Sequence, residues 1–187
     1  TDQEFLAAAD NLFASATVSP MDRLVAALMI SGAAPDQATP YIQKAIEGAG
    51  DSTDPGVALY KKQLMPVYAL KIEKNTEKAI AAKKDALGAG WETNPEALNS
   101  FAWWCFENDV NLEEAQELAV KAVELAEPGS QRANILDTLA EICNARGNCG
   151  EALTYIEQAI ADDPNRPYFA KQKKKFEKAL AEQKGDR

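Results

Sequence analysis

Apolar residues recur three and four positions apart along this chain, the spacing of one face of a helix, and polar turn residues punctuate them. Residues 2–15 place Phe5, Leu6, Ala9, Leu12 and Phe13 on one face. Ser19-Pro20 is a helix start with Pro at the first position. The stripe Leu24, Val25, Leu28, Met29 follows, and Gly32 ends it. A shorter helix after Thr39-Pro40 carries Ile42, Ala45 and Ile46 and stops near Gly48. From about Pro55 to Glu73 the apolar set is Leu59, Tyr60, Leu64, Val67, Tyr68 and Leu70, with Pro66 inside it, where a kink or a split is expected. Asn75 to Leu87 follows with Ala79, Ala82 and Ala86 on its packing side, and Gly88-Ala89-Gly90 closes it. Trp91 is expected to cover the junction with the next pair.

Between Asn94 and about Asn165 a helix–turn–helix pattern appears twice. In the second copy Leu136, Leu139, Ala140 and Cys143 lie on one stripe, and Ala152, Ile156 and Pro164 follow. The first copy repeats this with Leu98, Phe101, Ala102 and Cys105, then Ala115, Ala119 and Pro128. Small residues at Ala140 and Ala152 let the paired helices approach closely. Gly147 sits where a helix end needs a left-handed residue, and Pro164 stops the second helix.

These positions resemble the tetratricopeptide repeat (TPR), W-x2-L-G-x2-Y followed by A-x3-F and P. The first copy departs from it. Ala102 to Ala115 is 13 positions, against 12 for Ala140 to Ala152, and Ala102 to Ala140 is 38 rather than the usual 34 or so. The pair before them, and more weakly residues 20–46 with Ala26 and Ala38, have similar proportions. The resemblance implies an all-α fold of antiparallel hairpins stacked in a right-handed superhelix. A last helix from Arg166 to about Gln183, with Phe169, Phe176 and Leu180 on one side, caps the stack. The Gly/Asp/Ser/Thr/Pro stretch 48–56 suggests a seam, with N-terminal helices over 1–50 and repeats plus cap over 51–187, within one continuous solenoid.

Composition narrows the chemistry. With 187 residues and 46% apolar content the chain can build a core. No apolar run approaches the roughly 20 residues that span a bilayer, so membrane insertion is not expected. The net charge of −9 argues against nucleic acid as a partner. From Arg166 onward eight Lys/Arg stand against three Asp/Glu, a balance of +5, and −14 falls on the rest. Lys171, Lys173, Lys174, Lys175 and Lys178 read as a solvated helix face rather than a binding patch. There is no histidine, which removes His acid–base catalysis, Ser–His and Cys–His pairs and His metal ligands. Three cysteines cannot make an all-thiolate zinc site, and no Cys-x-x-Cys is present. The acidic pairs Glu113/Glu114 and Asp162/Asp163 sit at helix ends without a calcium-loop pattern. No catalytic residue, metal or cofactor is expected, and the chain reads as non-enzymatic.

The candidate site comes from helical register. Counting from Ala102, Trp103 falls on the side lining the inner groove of a TPR array, with Asn99 and Phe106 one turn away. The matching residues of the next copy are Asp137, Glu141 and Asn144. An aromatic floor and an acidic wall would suit an extended or helical peptide, preferably basic. Alternatively Trp103 packs inside the chain. The Lys and Arg by which chaperone-binding TPR domains hold a C-terminal carboxylate are missing from these positions. Cys143 and Cys149 flank the repeat turn, where paired helices face each other. They are either a disulfide, which implies an oxidising compartment, or two separate buried thiols. Cys105 is expected to be a core thiol.

The segments 99–108, 111–115 and 137–142 also resemble the helical C-terminal extension of some bacterial thioredoxin-family proteins, a likeness covering about residues 55–183. The chain begins at Thr1 with no signal-peptide pattern and is expected to be a mature or trimmed fragment. The resemblance implies an accessory or regulatory domain of an exported thiol–disulfide oxidoreductase, periplasmic or secreted, with a cytoplasmic setting as the alternative. It also favours the Cys143–Cys149 bridge. The primary expectation is a protein-interaction module that binds a peptide or protein on its concave face.

Overall fold

The computed structural model describes residues 2–185, and every regular element among them is helical. The chain forms two compact units, 1–88 and 89–187.

The first unit contains α1 (Asp2–Ala14), α2 (Pro20–Ala33), α3 (Thr39–Ala49), α4 (Pro55–Lys71) and α5 (Thr76–Leu87), with a 3₁₀ turn at Pro35–Gln37. Side-chain caps place its helix starts. Ser19 Oγ accepts from the Asp22 N–H, Asp54 Oδ1 accepts from Gly56 and Val57, and Asn75 Oδ1 accepts from Lys78. Leu24, Ala27, Ile30, Ile42, Ala45 and Leu64 form its core. Tyr41 donates its hydroxyl to Asp10 at 2.7 Å, tying α1 to α3. Two sequence expectations meet a different outcome here. The stretch 48–56, where a seam is expected, lies inside this unit, and α4 packs on both α2 and α3. Pro66 does not split α4: the helix runs through it, with Leu64, Pro66 and Ala69 all buried against neighbours. A missing N–H removes one backbone bond, and burial on both sides of the proline outweighs that loss.

The second unit opens with a 3₁₀ turn at Trp91–Thr93 and continues as α6 (Pro95–Glu107), α7 (Leu112–Leu125), α8 (Ser130–Ala145), α9 (Cys149–Asp162) and α10 (Pro167–Gly185). Helices α6 and α7 pair as one hairpin, and α8 and α9 as the next. Ala102, Ala115, Ala140 and Ala152 have no exposed surface. Helix α7 also packs on α8, which joins the hairpins. Within this unit Trp91 stands 5.6 Å from the Phe101 ring and packs against the cluster of Leu98, Ala122, Ala126 and Ile135.

The two hairpin turns close alike, with the Val110 N–H on the Cys105 carbonyl and the Asn148 N–H on the Cys143 carbonyl. The second uses Gly147 at φ 80°. The first carries one more residue and takes it up with Asp109 and Asn111, both at φ 52°. Asp and Asn tolerate that region better than other side chains that carry a Cβ. Helix α10 lies mainly along α9 and buries Phe169 and Phe176 completely.

The contact between α8 and α9 yields a prediction. Ala140→Leu adds three carbons where there is no room, and chemical denaturation should show a loss of about 1–3 kcal/mol. An unchanged midpoint would mean that the alanines do not set the helix separation.

Candidate partner-binding site

Asn99, Trp103 and Phe106 lie one turn apart on α6, and Asp137, Glu141 and Asn144 occupy the same register on α8. At about 100° per residue, each set falls on one side of the alanine that faces its paired helix. Helices α6 and α8 are in contact, and Gln131 Nε2 donates to Glu96 Oε1 at 2.9 Å near their N-terminal ends. Where an aromatic floor is expected, the Trp103 and Phe106 rings are 5.2 Å apart and both residues are half-buried. Trp104, the neighbour of Trp103, is instead in the core, 6.4 Å from Phe101.

The expected acidic wall is built differently. Glu141 is only 4% exposed, and Lys175 from α10 donates to both its oxygens at 2.6 Å while Gln172 reaches Oε1 at 2.6 Å. Tyr168 donates to Asp137 Oδ2 at 3.1 Å, and Gln172 also donates to the Tyr168 hydroxyl at 2.8 Å. The reason is electrostatic: a carboxylate taken out of water needs a partner, and α10 brings an ammonium within reach. Lys175, itself about half-exposed, therefore pairs with a buried carboxylate rather than standing on a purely solvated face, and Lys173 pairs with Glu157 at 2.8 Å. The useful signal was present in the sequence. Glu141 and Lys175 are 34 positions apart, one repeat period, so consecutive first helices bring them together.

Three acceptors on this face remain unmatched. Asn99 Oδ1, Asp137 Oδ1 and Asn144 Oδ1 are buried and have no hydrogen-bond partner. Asp137 is 8% exposed, and burial, followed at some distance by the Glu141 charge, pushes its carboxyl up to about 6 against the opposing Tyr168 and Gln172 hydrogen bonds. Tyr168 is pushed up to about 12, by burial first and then by Asp137.

Cys143 and Cys149 are separate buried thiols where the spacing allows a bridge, and Cys105 is buried in the core. The Cys143 thiol donates to Glu151 Oε2 at 3.7 Å, and burial, then that carboxylate, push it up to about 12. It stays protonated near neutrality. Among the acidic pairs, Asp162 accepts from Arg132 Nε and Nη2 at 2.6 and 2.8 Å, and Glu114 accepts from Asn111, so both serve helix ends. A cavity of about 500 Å³ in the first unit is lined by Lys61, Lys62, Asp51 and Asp85. Its ammonium groups are already engaged, Lys61 on the Gly50 carbonyl and Lys62 on Asp85. Among the described residues no helix is long and apolar enough to cross a membrane.

Asp137 predicts a pH dependence. Its folded pKa lies above the ordinary 3.8, so the folded state holds the proton more tightly; the associated stability is present at acid pH and lost as pH rises through about 6. Asp137→Asn should lack this component. Its stability relative to the parent should rise between about pH 4 and 6.5 and then level off, by about 1–2 kcal/mol after allowance for solvent screening. Parallel melting curves across that range check it, and parallel pH profiles of the two proteins would refute it.

No family model matches the chain, and no curated protein does. Among solved structures the fold is similar to that of PilF from Pseudomonas aeruginosa, a TPR protein. The TM-score is 0.52 at 18% identity, covering 87% of this chain and 70% of that one. At that identity the likeness bears on fold alone. The buried alanines, the paired helices and this structural neighbour agree: the chain has an all-α, TPR-like fold.

Proposed function

We propose that the chain is a non-enzymatic interaction module that takes a peptide or protein segment along the α6–α8 face of its second unit. The observation that carries this reading is the half-buried Trp103–Phe106 pair, on the register-defined face that also carries Asn99 and Asn144 with their unmatched oxygens. A buried polar atom without a partner costs roughly 1–3 kcal/mol, which a chain tolerates more readily where another molecule completes the bond. The aromatic pair supplies the apolar part of such a site. Covering a large side chain there contributes roughly 1.5–3 kcal/mol, and aromatic anchors of this kind dominate binding faces. Glu141 is occupied by α10 and serves as scaffold in this reading, while Asn99, Trp103, Phe106, Asp137 and Asn144 meet the partner.

The test is selection of randomised peptides on the immobilised chain, with Trp103→Ala as the comparison. Trp103 is only half-buried, and a melting curve verifies that the variant folds. Selected peptides should lose about 10- to 100-fold in affinity on the variant. Peptides that bind both proteins equally would remove this face from consideration.

A further inference from the structure

We infer that the α1–α2 face of the first unit docks a second copy of this chain, each copy placing its Met29 in a hollow of the other. The hollow is about 160 Å³ in volume and lies between the two helices, lined by Phe5, Ala8 and Leu12 of α1 and by Ala26, Met29 and Ile30 of α2. An apolar cavity of roughly 150 Å³ takes a benzene-sized group, so this one accepts a single large side chain.

The projection stands beside the hollow. Met29 is the most exposed large apolar side chain among the described residues, at 61%. Its thioether is unbranched and polarisable, and such a sulfur packs favourably against an aromatic ring, which Phe5 supplies in the opposite copy. A surface that carries both a projection and its complement fits itself by a two-fold rotation, in which Met29 of each copy meets Ala8 and Ala26 of the other. A foreign partner would require no such pairing of features on one patch.

The helices around the hollow form an unfinished apolar layer. Of the α1 side chains described, only Ala9 is buried, and Phe5, Leu6, Leu12 and Phe13 stay half-buried. The anchorage of α1 lies in its second half, where Asp10 accepts from Tyr41 and the Phe13 ring stands 5.2 Å from that of Tyr41. On α2, Met21 and Leu28 are exposed along with Met29.

Charge selects the same occupant. The chain carries −9, so two copies repel wherever acidic surfaces meet. Residues 24–35 have no ionisable side chain, and neither do residues 5–9. Glu4 and Asp22 fall one turn before Ala8 and Ala26, and an antiparallel crossing of the two α2 helices sets the Asp22 residues of the two copies at opposite ends of the contact. Two helices of 13 and 14 residues, at the usual spacing of about 9 Å, present a footprint of roughly 20 by 20 Å. That is about 400 Å² per copy, half of what a stable interface of standard size buries on each side, so the pair is reversible, with a Kd on the order of 100 µM.

Sedimentation equilibrium of the full chain from about 5 µM to 1 mM, in roughly 0.15 M salt, reads the association. The mean mass should climb from that of one chain toward twice that value and stop there. Met29→Asp should weaken the dimer at least about tenfold, whereas Leu59→Asp, at a similarly exposed apolar site on α4, should leave it unchanged. Both side chains are exposed, and melting curves verify that both variants fold. Trp103→Ala should dimerise as the parent does, because the contact is independent of the face on α6 and α8. A mass that stays at one chain up to 1 mM would overturn the inference, and so would a dimer indifferent to Met29→Asp or lost with Trp103→Ala. Growth past two chains would refute the two-fold arrangement.

Discussion

Helices separate by about 8–10 Å according to the side chains at their contact, and here alanines stand at those contacts. Ala102 with Ala115, and Ala140 with Ala152, lose all their exposed surface between paired helices. Close approach of the backbones settles more than packing. It fixes the rotation of α6 and α8 about their own axes, and therefore which residues three before, one after and four after each alanine share a side. Trp103 and Phe106 are half-buried, and Trp104 is in the core, because of that rotation. A bulkier side chain at either crossing would turn the face as well as weaken the hairpin.

The inner side of α8 shows a second constraint, that buried charge must be matched. Its two carboxylates would be costly alone, and α10 answers them with Lys175, Gln172 and Tyr168. The terminal helix thus does two things at once. Phe169 and Phe176 cover the apolar flank of α9, and the polar residues between them in sequence engage α8. The match is complete at Glu141 and incomplete at Asp137, and this difference makes the face something other than a finished core.

Helix type, the alanine contacts, the helix start at Ser19, the turn at Gly147 and the capping role of α10 were legible because each depends on residues close in sequence. The shared register of Asn99, Trp103, Phe106, Asp137, Glu141 and Asn144 was legible too. What became of their charges was not. The 34-residue separation of Lys175 from Glu141 puts them on consecutive first helices, but the burial of Glu141 that makes the pair necessary is visible only in the structure. The continuity of α4 through Pro66 likewise depends on burial against other helices, which overrides the local preference.

The amino-acid sequence alone therefore determined an all-helical chain, the pairing of α6 with α7 and of α8 with α9, and the side of each first helix that carries Trp103 or Asp137. These follow from a period of 3.6 residues and from the size of a methyl group. The tertiary structure decided how the units divide at Gly88, that the three cysteines remain separate buried thiols, and which polar atoms find partners. Those outcomes depend on distances between residues tens of positions apart, and helical periodicity carries no information about them.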